Sequence, residues 1–188
     1  MQTPSGAAPD AEPDRRAPLL RQRLTLASCA AGTVAAGAFA VARFGLTWQL
    51  PAVLVLLGWM GLIAAIDVAT RRVPNLLTYP ALLLSPVYVA LRPGAEPLDH
   101  LLGGALGGGF FALAFLLYPR GIGLGDVKLA LVLGLYLGWN GTVVALVIAL
   151  LLGGVVAAVT LAVGLGRQAG IPYAPMLAAG GAFALLTG

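Results

Sequence analysis

Seven acidic residues punctuate this chain, and two of them stand where a carboxylate is costly. Asp10, Glu12 and Asp14 belong to a polar N-terminal stretch, and Glu96 and Asp99 to a polar interruption between apolar runs. Asp67 and Asp126 instead end and begin apolar runs. A carboxylate in or near hydrocarbon usually faces the interior of a helical bundle and has a task there. Two carboxylates in one dry site cannot both ionise easily, so the pair holds one proton. That state suits peptide hydrolysis. The ionised acid takes a proton from water while the protonated acid donates to the carbonyl oxygen. The blander alternatives are that Asp67 anchors a loop with Arg71 and Arg72, and that Asp126 caps the helix it precedes.

The elements that must position these acids are membrane spans. Of 188 residues, 60% are hydrophobic and 10% charged, against roughly half and a quarter in a soluble domain. The expected fold is all-α, a polytopic transmembrane bundle. Seven apolar runs read as spans, at about 24–42, 48–66, 76–91, 101–118, 127–139, 142–165 and 174–187. Several fall short of the roughly 17–25 residues of a spanning helix, so six or eight spans also fit. Residues 1–23, rich in Pro, Ala, Asp and Arg, read as a disordered cytoplasmic tail, and 24–188 as the membrane domain. The first run is longer than the usual roughly 7–15 residue core of a signal peptide, which favours an uncleaved helix.

With the N-terminus in the cytoplasm and seven crossings, Arg15, Arg16, Arg21, Arg23, Arg71, Arg72, Arg120, Lys128 and Arg167 fall inside, and only Arg43 and Arg92 outside. This bias sets the orientation and puts both aspartates at the cytoplasmic face, joined by one helical hairpin. Trp48 and Trp139 then lie at the outer interface. The basic residues flank apolar runs and form no aromatic-interleaved stripe, so no nucleic-acid partner is expected. Gly103, Gly104, Gly107 and Gly108 form overlapping small-xxx-small patterns that predict close helix packing. Cys29 is the single cysteine, and no Cys/His cluster suggests a metal.

Two motifs surround the acids. The first runs from Asp67 through Arg71-Arg72-Val73-Pro74-Asn75 to Thr78, and the second is Gly121-Ile-Gly123-Leu-Gly125-Asp126-Val-Lys128-Leu129. Gly123 and Gly125 free the backbone before the acid, which lets an extended substrate strand approach closely. Arg71 and Arg72 serve as topology signals or as substrate and loop contacts. Asn75 either hydrogen-bonds near the site or caps the third span. Lys128, two positions past Asp126, does not face it on a helix; it anchors the loop to the membrane surface or orients substrate or loop. His100 falls in the outer loop with no catalytic partner. Ser28, Cys29 and Ser85 lack a nearby base.

With both motifs in place, the chain over about 50–188 resembles the type IV prepilin peptidases, the GxGD-type aspartyl proteases of bacterial membranes. Ile171-Pro172-Tyr173-Ala174-Pro175 is similar to that family's segment before the last helix. The resemblance implies that Asp67 and Asp126 are the catalytic pair of an aspartic endopeptidase needing no metal or cofactor. Its partners would be the lipid bilayer and type IV prepilins, or Flp/Tad or pseudopilin relatives, whose short basic leader is cut just before an apolar N-terminal helix. The implied location is the inner (cytoplasmic) membrane, with the site at the cytoplasmic face. Many full-length members carry an N-terminal cytoplasmic domain with paired CxxC motifs linked to N-methylation, so a short form without methyltransferase activity is expected. Ala69 stands where an Arg is common, which leaves that basic contact to Arg71 or Arg72, and Tyr173-Ala174 replaces Phe-Gly. Two other readings are a proton-coupled transporter and a structural subunit of a pilus or secretion machine. Acids at one face instead of the midplane, with no inverted repeat, speak against the transporter. Unimpaired function after conversion of both acids to Asn would mark the structural subunit.

Overall fold

The structure, a computed structural model, describes residues 16–47, 49–119, 121–162 and 173–188. Its regular elements are α-helices: α1 (Arg16–Phe44), α2 (Leu50–Thr70), α3 (Asn75–Leu91), α4 (Pro97–Leu117), α5 (Leu124–Ala162) and α6 (Ala174–Thr187). Gln22–Phe44 of α1 and the whole of α2, α4 and α5 are long and apolar enough to cross a membrane, whereas α3 and α6 are shorter apolar helices. The expected all-α membrane bundle is therefore the fold.

Helix α5 is two segments. At Gly138 the backbone leaves helical geometry, with φ 72° and ψ −175°. A Cβ placed on Gly107 of α4 would meet both the Ala130 carbonyl and, at 3.4 Å, the Thr142 methyl. An unbroken helix would hold those two residues about 18 Å apart. So α5 is a hairpin, with limbs 124–137 and 139–162, and the described residues form seven helical segments, one for each apolar run of the sequence.

Several boundaries differ from the sequence reading. Helix α1 begins at Arg16, within the stretch read as tail, while residues 1–15 lie outside the described residues. Helix α4 begins at Pro97 and takes in Asp99 and His100, which were expected in a loop. The Asp99 carboxylate accepts the Trp139 N–H (3.3 Å), which tethers the start of α4 to the α5 turn. His100, only 5% exposed, is bonded through Nδ1 to the Leu135 carbonyl at 2.9 Å and packs edge-on to Tyr88. Trp48, Arg15, Arg120, Arg167, Ile171 and Pro172 fall outside the described residues.

Packing follows small residues, as lipid provides no hydrophobic drive between helices. The glycine face of α4 lies directly on α5: a Cβ on Gly103 would sit 2.6 Å from the Gly134 carbonyl oxygen, and one on Gly108 2.8 Å from Leu131. Helix α6 fills the centre, with Gly180 against Ala145 and Gly181 against Met60 and Leu133. Ile63, Leu129, Leu177, Val132 and Thr78 are the largest fully buried side chains, while Leu83, Leu151 and Val155 face outward. Helix α3 contains Pro80 and Pro86. Pro86 has no N–H for the Leu82 carbonyl, and the Ser85 hydroxyl donates to that oxygen instead, at 2.8 Å. Trp59 and Tyr136 hold the α3 backbone to the bundle: Trp59 donates to the Leu77 carbonyl (3.1 Å) and Tyr136 to the Ala81 carbonyl (2.8 Å).

Candidate active site

The last turn of α2 and the first turn of α5 meet at one end of the bundle. Asp67 is 4% exposed. One turn later α2 stops because Arg71 takes left-handed geometry (φ 53°) and its N–H closes on the Asp67 carbonyl at 2.7 Å. The Asp67 side chain turns inward and accepts the Ala174 N–H at 3.3 Å. Ala174 opens α6, and the first N–H groups of a helix have no partner within it. The buried carboxylate therefore satisfies a donor that the α6 backbone leaves open.

Asp126 lies in the first turn of α5 and is half-buried. It accepts the Gly123 N–H at 3.1 Å, so it also ties down the start of α5, the blander role weighed for it. Its carboxylate is within electrostatic reach of Asp67. One carboxylate is thus carried by the end of α2 and the other by the start of α5, with the α3–α4 hairpin between them in sequence, as expected.

The glycines of the second motif divide in their surroundings. Gly123 is exposed, with only the Asp126 carboxylate and the Gly125 nitrogen near its Cβ direction. Gly125 packs on the loop of the first motif, where an added Cβ would lie 2.9 Å from the Val73 Cβ. Pro74 precedes α3 in an extended conformation (φ −72°, ψ 127°), and its carbonyl accepts the Leu77 and Thr78 N–H groups and the Thr78 hydroxyl. Asn75 makes no cap; its side-chain oxygen accepts a hydrogen bond from Lys128 Nζ (3.2 Å). Lys128 also donates to the Tyr79 hydroxyl (3.1 Å) and lies 5.0 Å from the centre of that ring. Arg71 and Arg72 are exposed. Their side chains enter no ion pair among the described residues.

Two contributors were not singled out by the sequence reading. Tyr79 carried one signal, its i,i+4 spacing from Asn75, which puts both on one face of α3. Ala174 contributes only a backbone N–H, for which residue type is silent. Tyr173, just before it, packs edge-on to Phe111 at 6.1 Å. Among the described residues no group of three or more His, Cys, Asp or Glu side chains gathers where a metal ion could sit.

The chain is similar to known proteins. The Type IV leader peptidase family model matches residues 54–158, which includes both aspartates. The prepilin leader peptidase/N-methyltransferase of Bacillus subtilis is 31% identical over 173 residues, covering 88% of this chain and 68% of that protein. The protein of the same name from Burkholderia pseudomallei is 35% identical over 173 residues, and there the chain spans 55% of the relative's length. The Pseudomonas aeruginosa protein so named is 29% identical over 153 residues, 52% of its length. No solved structure matches. With more than half of its length inside the family model, the chain belongs to the type IV leader peptidase family.

Proposed function

We propose that the chain is a membrane-embedded aspartic endopeptidase that removes the leader from type IV prepilins or related Flp/Tad or pseudopilin proteins. The convergence of Asp67 and Asp126 at one end of an otherwise acid-poor bundle carries this reading. One carboxylate takes a proton from the attacking water, and the other protonates the carbonyl oxygen of the scissile bond. Gly123 leaves the approach to Asp126 open, which gives an extended peptide room beside the pair. The excess of Arg and Lys at the aspartate end supports a cytoplasmic site in the inner membrane. The substrate's apolar helix would stand in the bilayer beside the bundle while its basic leader remains in the cytoplasm. These 188 residues hold a single cysteine, so leader removal without methyl transfer is the activity proposed for them.

The test is co-expression with a candidate prepilin. Asp67→Asn and Asp126→Asn should each lower leader removal by at least about 100-fold, the lower end of what a positioned acid or base contributes, while the variants still enter the membrane. Normal processing by either variant would refute the assignment. The mass of the processed N-terminus reads methylation in the same experiment: an unmethylated terminus is expected.

A further inference from the structure

Lys128 is the one cation among the described residues that joins the two aspartate-bearing corners. From the second turn of α5 its ammonium reaches the Asn75 side chain at 3.2 Å and the Tyr79 hydroxyl at 3.1 Å, both on the first turns of α3. It also rests 5.0 Å from the centre of the Tyr79 ring. The same corner is held a second time through Val73, packed against Gly125. The Val73 contact joins the loop that follows Asp67 to the turn that carries Asp126, and the Lys128 contacts join the start of α3, just past that loop, to the next turn of α5. We infer that Lys128 is a positioning residue, a latch between α5 and α3 that fixes the separation of the two carboxylates and does not touch the substrate. This inference rests on the proposed peptidase reading.

The chemistry fits that role. An ammonium has three donors, and two are directed at one face of a neighbouring helix. Its charge is stabilised by an amide oxygen, a phenol and an aromatic face, and forms no ion pair with a carboxylate among the described residues. The latch therefore leaves the acids free for chemistry. A misplacement of about 1 Å in a catalytic constellation can cost on the order of 100-fold in rate, and in the loop of the α2–α3 corner Arg71 and Arg72 are exposed.

The experiment uses the full chain in proteoliposomes with a prepilin peptide. Lys128→Met keeps the apolar stem and removes the donors. It should lower kcat about 10- to 100-fold with KM within about twofold of wild type, and Lys128→Arg should restore most of the loss. The Asn75→Leu/Tyr79→Phe double variant should reproduce the Lys128→Met loss, and adding Lys128→Met to it should cost little more. A second readout is independent of activity. A spin label at Leu76, 83% exposed beside Asn75, in a Cys29→Ala background, should gain mobility in Lys128→Met and lose it again in Lys128→Arg. Unchanged kcat in the variants, a rise in KM alone, or an unaltered label would overturn the latch. If Lys128→Met fails to accumulate in the membrane, the Asn75→Leu/Tyr79→Phe variant decides on the same criteria. If wild type cuts no prepilin, the peptidase proposal falls, and label mobility alone decides whether the latch exists.

Discussion

At the residue scale, Asp67 has a structural duty besides the proposed chemical one. Ala174 is fully buried, so its N–H depends on the Asp67 oxygen 3.3 Å away. Asp67→Ala orphans that donor at a cost of about 1–3 kcal/mol, whereas Asp67→Asn keeps an acceptor. Thermal unfolding in detergent should therefore separate the two: a Tm near wild type for Asn, and one several degrees lower for Ala, at the roughly 2–8 °C per kcal/mol typical of small proteins. Leader cleavage should be lost in both. The sequence singles out Asp67 and Asp126 because an acid inside an apolar run is a rarity that counting detects. It is silent on the Ala174 bond, which spans 107 positions and uses a group that every residue but proline possesses. The sequence marks Lys128 but not its pairing with Asn75 and Tyr79, because these lie on a helix whose rotation a sequence does not settle.

At the element scale, the α5 turn depends on a single backbone geometry. Gly138 sits at φ 72° and ψ −175°, and a side chain there would run into the Asp99 carboxylate. Gly138→Ala combines an unfavourable backbone conformation with a steric overlap, so a destabilisation of about 1–3 kcal/mol is expected. Asp99→Ala removes the acceptor for the Trp139 N–H at the start of the second limb and should cost about 1 kcal/mol. Detergent unfolding midpoints of both variants check this, with the larger loss expected for Gly138→Ala. The sequence separates these limbs into two runs, 127–139 and 142–165, with Asn140 and Gly141 between them. The position of α4 was misjudged for an opposite reason. Asp99 and His100 are polar and read as loop, yet each finds a partner on α5, and a satisfied polar group is compatible with a buried helical turn.

At the scale of the whole molecule, the bundle has a polar end bearing Asp67, Asp126, Arg71, Arg72 and Lys128, and an opposite end bearing Arg92, Glu96, Asp99 and His100. The charge asymmetry predicts the first in the cytoplasm. In a Cys29→Ala background, an impermeant thiol reagent added outside spheroplasts should label Ala95→Cys and spare Leu76→Cys; the reverse pattern would invert the orientation. The helical class and approximate span count were readable from composition, since a backbone in lipid must satisfy its own hydrogen bonds. Which helix occupies the centre was not, because α6, at 14 residues, is among the shortest runs and owes its place to Gly180 and Gly181. That placement has a consequence in time. A chain made from its N-terminus delivers α2 before α6, so Asp67 is synthesised 107 positions ahead of Ala174. The donor that holds its carboxylate arrives only with the start of α6, and ribosome-bound chains halted before Ala174 should contain both acids yet lack this finished corner.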